Sequence, residues 1–219
     1  MKIVNFAETN SLVGVYVREL RDVGIQGDRM RFRRNLQRIG EVISYEISKT
    51  LDYRKVETVT PLGIAECYEI DDKVVLATVL RAGLPFHEGF LSYFDNAENA
   101  FVSAYRKYTD EEHKDFEVEI GYIASPSLEG KTLLLVDPML ATGASMELAY
   151  RALLTKGTPE KVYIASVIAS KQAVEFVKKK FADIDASLWI GAVDDVLNEH
   201  AYIVPGLGDA GDLAFGEKL

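Results

Sequence analysis

The chain has 219 residues, 48% hydrophobic and 27% charged, with a formal net charge of −9; that is the mixture of an ordinary globular protein, and the length suffices for one sizeable core. Its longest apolar runs, such as VYIASVIA (Val162 to Ala169), are far too short to cross a bilayer, the opening MKIVNFAETN has no apolar stretch of signal-peptide length, and the lone Cys67 can form no intramolecular disulfide. A cytoplasmic protein without membrane association is therefore expected, and the acidic balance argues against a nucleic-acid partner and requires any anion site to be built locally.

In chain order, the first clear element is an amphipathic helix from Phe32 to Leu51, with Phe32, Leu36, Ile39, Ile43, Ile47 and Leu51 on one stripe. The basic cluster RFRRNLQR (Arg31 to Arg38) reads as its solvated side. Five runs rich in β-branched residues follow: Val74 to Leu80, Ala100 to Tyr105, Thr132 to Asp137, Lys161 to Ala169 and Ser187 to Val193. Several are apolar on both faces, as strands of a covered parallel sheet are. Helical patterns alternate with them at Pro85 to Phe94, Ser145 to Thr155 and Lys171 to Phe181. The fold class expected is α/β, an open, doubly wound, mainly parallel sheet of about five strands with flanking helices.

One segment breaks the alternation. RKYTDEEHKD (Arg106 to Asp115) is polar, and FEVEIGYI after it alternates with period two, so Ala100 to Ile123 reads as a β-hairpin arm with a mobile tip. No stretch has the composition of an interdomain linker, and residues 1–219 are expected to form a single domain.

The strongest chemical signal is LLLVDPMLATGAS, Leu133 to Ser145: a buried strand, a tight loop of small residues, then a helix. Ligands of open α/β sheets bind beyond the carboxyl ends of the strands, where a helix N-terminus offers free amides and a favourable dipole to a phosphate. Thr142, Gly143, Ala144 and Ser145 are placed to wrap one phosphate, and Asp137 to accept hydrogen bonds from hydroxyls of an attached sugar. The lysine of a Walker loop is missing. Gly206, Gly208 and Gly211 spell G-x-G-x-x-G, but only eight residues follow Gly211, too few for the rest of a dinucleotide-binding unit. His87, His113 and His200 have no metal-ligand spacing and read as surface or hydrogen-bonded histidines.

A hydrophobic strand, an acidic residue and a T-G-x-S loop resemble the signature of the type I phosphoribosyltransferases, and VDPMLATG, with Pro138 in place of a second acidic residue, resembles the uracil phosphoribosyltransferases in particular. YIVPGLGDAGD is similar to their uracil-binding C-terminal segment, and TPLG (Thr60 to Gly63), LRAGL (Leu80 to Leu84) and AYR (Ala104 to Arg106) match further landmarks in the same order. The resemblance covers about Asn10 to Gly216. It implies one phosphoribosyltransferase domain, with a small hood formed by the N- and C-terminal segments, that converts uracil and 5-phosphoribosyl 1-diphosphate to UMP and diphosphate with Mg2+.

Carried over residue by residue, the resemblance gives Arg81 and Arg106 to the diphosphate. The run Asp137, Pro138, Met139, Leu140, Ala141, Thr142, Gly143, Ala144 and Ser145 goes to the ribose hydroxyls and 5-phosphate. Asp209 serves the phosphoribosyl substrate with its magnesium, and Ile203, Gly208, Asp209 and Ala210 line the uracil. Arg81, Arg106, Asp137 and Asp209 are the catalytic set. Ala144 stands where many members have glycine, and only glycine is free of cost at positive φ. A homo-oligomer, dimer or tetramer, is expected from the hairpin arm, and GTP, which activates some relatives, is the effector to test. The alternative is a pyrimidine-nucleotide-sensing regulator that keeps the fold; a basic RNA-binding face would then be expected, which the net charge of −9 opposes.

Overall fold

Strands apolar on both faces need helices on both sides, and the chain supplies them in two layers. The computed structural model describes residues 1–108 and 116–218, with backbone alone over 104–108 and 116–119. It opens with strand β1 (Lys2–Asn5), helix α1 (Leu12–Arg21) and helix α2 (Arg29–Ser48). The Asp28 side chain caps α2 by accepting from the Arg31 amide. Phe32, Leu36, Ile39, Ile43 and Ile47 of the expected stripe are all buried, each contributing about 1.5–3 kcal/mol of transfer free energy.

An antiparallel hairpin, β2 (Tyr53–Thr60) and β3 (Gly63–Ile70), comes next and forms a separate two-stranded sheet. Then follow β4 (Val74–Leu80), α3 (Gly83–Leu91), β5 (Glu98–Tyr108), β6 (Phe116–Ala124), β7 (Thr132–Val136), β8 (Met139–Leu140) and α4 (Ala144–Leu153). The chain continues through β9 (Lys161–Ser170), α5 (Lys171–Lys180), β10 (Ala186–Asp194), β11 (Val196–Leu197), β12 (Ile203–Val204) and α6 (Ala210–Phe215).

Among the described residues the main sheet has eight strands in the order β1-β10-β9-β7-β4-β5-β6, with β8 paired to β9. The five strands expected from sequence are its contiguous centre, all parallel. The additions are β1 on one edge, the short β8, and β6 on the other edge, antiparallel to β5 as the hairpin arm requires. The tip of that arm, with its expected mobility and His113, lies outside the described residues.

Side chains alternate between two cores. Leu76, Leu134 and Val136 face α1, α2 and α3, while Val75, Leu133 and Leu135 face α4 and α5. The connection from β4 to β5 runs one way along the sheet and that from β7 to β9 runs the other, so neighbouring β4 and β7 form the switch point where such sheets bind ligands. His87 lies buried in α3, packed on Phe101 with ring centroids 5.3 Å apart, and burial pushes its pKa down.

Candidate active site

Both strands of the switch point end in a residue singled out by sequence. β4 runs into Arg81 and β7 into Asp137, and the strand ends are tied where Thr78 Oγ1 donates to the Val136 carbonyl at 3.2 Å. After β7 the chain is fixed from below: the Pro138 carbonyl accepts from the Val167 and Ile168 amides at 3.2 and 3.0 Å, and Met139–Leu140 pair with β9 as β8. Ser170 Oγ donates to the Ala141 carbonyl at 2.6 Å while accepting from the Ala173 amide.

The loop then turns into α4 through Gly143, which is left-handed at φ 84°. A Cβ there would lie 2.7 Å from the Phe176 ring, so both conformation and space select glycine. Ala144 is the first helical residue, and its place opposite the family's glycine brings no backbone conflict. Thr142 Oγ1 accepts from the Ala144 amide at 3.3 Å. The N-cap position, Gly143, offers no side-chain cap, which leaves the next amides of the first turn open to an anion.

Asp137 is partly screened from solvent at the foot of this loop. Loss of hydration pushes its carboxyl from 3.8 up to about 7, against a smaller lowering by the Met139 amide, which donates to Oδ1 at 3.2 Å. With this one amide donor, the carboxyl has acceptor capacity left that sugar hydroxyls would fill.

Arg81 reaches the C-terminal segment. Its Nη2 donates to Asp212 Oδ1 at 3.0 Å and to the Gly216 carbonyl at 3.3 Å, while its Nε is buried without a partner. A Cβ on Gly211 would lie 3.6 Å from Nη2 and 3.2 Å from Asp209 Oδ1, so Arg81 and Asp209 both border that glycine. Asp209 caps α6 by accepting from the Asp212 amide at 3.0 Å, and its Oδ2 is faced by Lys218 Nζ at 3.8 Å. Arg106 lies in β5 opposite Val118 of β6; its side chain is outside the described residues.

Of the residues expected at uracil, Ile203 and Ala210 are buried at either end of the segment, and Gly208 between them is exposed at φ 91°. The segment is held by residues the sequence did not mark. Gln26 Nε2 donates to the Leu207 carbonyl at 3.2 Å, Arg33 to the Ala214 carbonyl at 2.7 Å, and Arg21 and Asp194 both bond Gly206. The hood of N- and C-terminal segments is thus a set of polar ties. Arg33 corrects the reading of Arg31 to Arg38 as a purely solvated face, since it also lies 6.0 Å from the Phe215 ring centroid, and Arg31 pairs with Glu19 at 2.7 Å. Charge clusters on a helix reveal their partners only once the chain has folded. Asp212 was missed as well, although its place three residues after the capping Asp209 was a local signal.

The family model described as uracil phosphoribosyltransferase matches residues 9–217. A relative from Porphyromonas gingivalis, named uracil phosphoribosyltransferase, is 58% identical over 219 residues, covering the whole of both chains. Another of that name, from Pyrococcus furiosus, is 38% identical over 204 residues, covering 92% of this chain and 84% of its own. A solved structure of a protein from Aquifex aeolicus superimposes with a TM-score of 0.86 at 32% identity, covering 98% of each chain. With a family model spanning almost the full length and full-length relatives of one name, the chain belongs to the uracil phosphoribosyltransferase family.

Proposed function

We propose that Arg81, Arg106, the run Asp137 to Ser145 and the segment Ile203 to Ala210 carry, in this chain, the reaction after which its family is named: transfer of the 5-phosphoribosyl group from 5-phosphoribosyl 1-diphosphate to uracil, giving UMP and diphosphate. The observation that carries the assignment is the pairing of two anion-seeking features at the β4/β7 switch point. One is the uncapped start of α4, and the other is a guanidinium with a buried, unpaired Nε. Asp137, raised by burial and met by a single amide donor, stands at the strand end that leads into the first. A sugar with a phosphate at one end and a diphosphate at the other answers all three.

In the transfer, the bond from C1 to the diphosphate breaks as N1 of uracil arrives, so positive charge grows on the ribose and negative charge on the leaving group. Arg81 and Arg106 serve the leaving diphosphate, where fixed positive charge in a water-poor site stabilises the transition state more than the ground state. Asp137 orients the ribose through its hydroxyls. The amides and hydroxyls of Thr142 to Ser145 hold the 5-phosphate. No covalent nucleophile is needed.

An Mg2+ that enters with the diphosphate would draw on Asp209, at the cap of α6, for support. Such an ion, when bound, neutralises charge on the leaving group. The whole of 1–219 acts as one phosphoribosyltransferase domain, working in the cytoplasm. Self-association is supported by exposed apolar residues on the β2–β3 hairpin, among them Val59, Leu62, Ile64 and Tyr68.

Steady-state assay with labelled uracil tests the assignment, and added GTP tests the effector in the same tubes. Uracil and 5-fluorouracil should both be used, because a C5 substituent points away from O2, N3 and O4. Cytosine, with opposite polarity at N3 and at its exocyclic group, should be rejected by roughly 10⁴-fold, as sites that read a substrate by buried hydrogen bonds do. Comparable turnover of cytosine and uracil would refute a 203–210 segment that reads the base through its main-chain amides and carbonyls.

A further inference from the structure

A single ion pair grips both sides of one residue in the segment assigned above to the pyrimidine. Asp194, the last residue of β10 and 6% exposed, accepts from Nη1 and Nη2 of Arg21 at 2.7 Å each. The same Asp194 Oδ2 accepts from the Gly206 amide at 2.9 Å, and the same Arg21 Nη1 donates to the Gly206 carbonyl at 3.1 Å. Both main-chain polar groups of Gly206 are therefore held by partners 173 residues apart. There is no slack in the turn: Gly206 has φ 56°, and a Cβ on it would fall 2.0 Å from the Ile203 carbonyl oxygen. Two residues later the chain emerges at Gly208, exposed, with φ 91°.

Forked arginine–carboxylate pairs fix direction as well as distance. A buried pair is a poor source of net stability, because desolvation offsets much of its attraction. What this one supplies is orientation: its remaining hydrogen bonds go to the main chain of a neighbouring turn.

We propose that Arg21 and Asp194 are positioning residues that set pyrimidine specificity, by fixing the Gly206 peptide groups so that the main chain from Gly206 to Ala210 presents its donors and acceptors to the base in one orientation. The proposal rests on the reading of Ile203 to Ala210 as the uracil site. Loosening the clamp lets that main chain tilt. A tilt weakens every hydrogen bond to the correct base and lowers the penalty for a base of opposite polarity, while the phosphoribosyl site at the β7–α4 loop keeps its own supports.

The test uses Arg21→Lys and Asp194→Asn in the full chain, with steady-state kinetics for uracil, cytosine and 5-phosphoribosyl 1-diphosphate alongside thermal melts. Expected are a KM for uracil raised about tenfold or more, a KM for the phosphoribosyl substrate changed less than about twofold, and a preference for uracil over cytosine lowered at least about tenfold. The double variant should be little worse than the worse single one, because both act on one clamp. Arg21→Lys keeps the charge and a donor, so it gives the same readout if Asp194→Asn fails to fold. Gly208→Val serves as the control on the pocket itself. If it raises the uracil KM but the clamp variants only lower the melting temperature, leaving preference and KM unchanged, the clamp is merely structural and the proposal is overturned. If Gly208→Val also leaves the uracil KM unchanged, the reading of the pocket fails first, and the proposal falls with it.

Discussion

Asp137 is the residue whose chemistry is most exposed to measurement. Its carboxyl titrates near 7 in the folded chain against 3.8 in a free one, so between those values the unfolded chain has released a proton that the folded chain keeps. The unfolded state then binds fewer protons, and this group's contribution to stability falls by about 1.4 kcal/mol per unit as pH rises through that window, levelling off above about 7. Asp137→Asn should accordingly melt higher than the parent at pH 8 and show no such advantage at pH 4. In the role proposed for Asp137, ribose hydroxyls would donate to the charged carboxylate, so binding below pH 7 would expel a proton. The KM for the phosphoribosyl substrate should rise about tenfold per unit below that pH, and Asp137→Asn should make it high and flat, having lost a charged acceptor worth about 1.5–3 kcal/mol. A parent KM that ignores pH between 5 and 8 would refute the role. Arg106→Ala carries the complementary expectation, a fall in kcat larger than any rise in the uracil KM, since its charge is assigned to a leaving group that develops only as the bond breaks. If the uracil KM moved instead, the arm would belong to the base pocket.

At the scale of elements, the β7–loop–α4 unit is a local design that the sequence displays almost whole. Five buried strand residues, Asp137, and the small residues before the helix occur in one continuous stretch, and the structure starts α4 at Ala144, one residue before the expected Ser145. Gly143→Ala should destabilise the fold by about 1–3 kcal/mol, through its left-handed backbone and the Phe176 contact, and should raise the KM for the phosphoribosyl substrate more than that for uracil. Equal melting temperature and kinetics in that variant would mean that the loop does not need its turn. The five central strands were legible for a similar local reason, their lack of a polar face. The β2–β3 hairpin was not. Its alternation buries neither face within the chain, and the Thr60 to Gly63 landmark, which the structure makes its turn, carries no hairpin signal of its own. Nor was β1, four residues that acquire their meaning only as an edge beside β10.

For the whole molecule, the open question of assembly is a matter of surface. Val59, Leu62, Ile64 and Tyr68 are between 69% and 100% exposed on one hairpin, an apolar group that a second copy could bury. Replacing Val59, Leu62 and Ile64 by serine should shift sedimentation toward the monomer while leaving the melting of the central domain nearly unchanged, since none of the three belongs to either core. A parent that already sediments as a monomer would overturn the expectation. By itself the sequence determined the layered α/β class, the central strands, the strand-loop-helix unit around Asp137, and the order of the family landmarks, because each is written in neighbouring residues whose spacing matches a strand, a helix or a turn. Only the tertiary structure decided that Arg21, Gln26 and Arg33 hold the C-terminal segment and that Asp212 meets Arg81, across separations of 131 to 185 residues. Gly206 and Asp194 are 12 residues apart in the chain, yet even they meet only through the turn at Gly206. A charge or an amide carries no mark of its distant partner, and the pair exists only where folding has removed the water that each would otherwise bind.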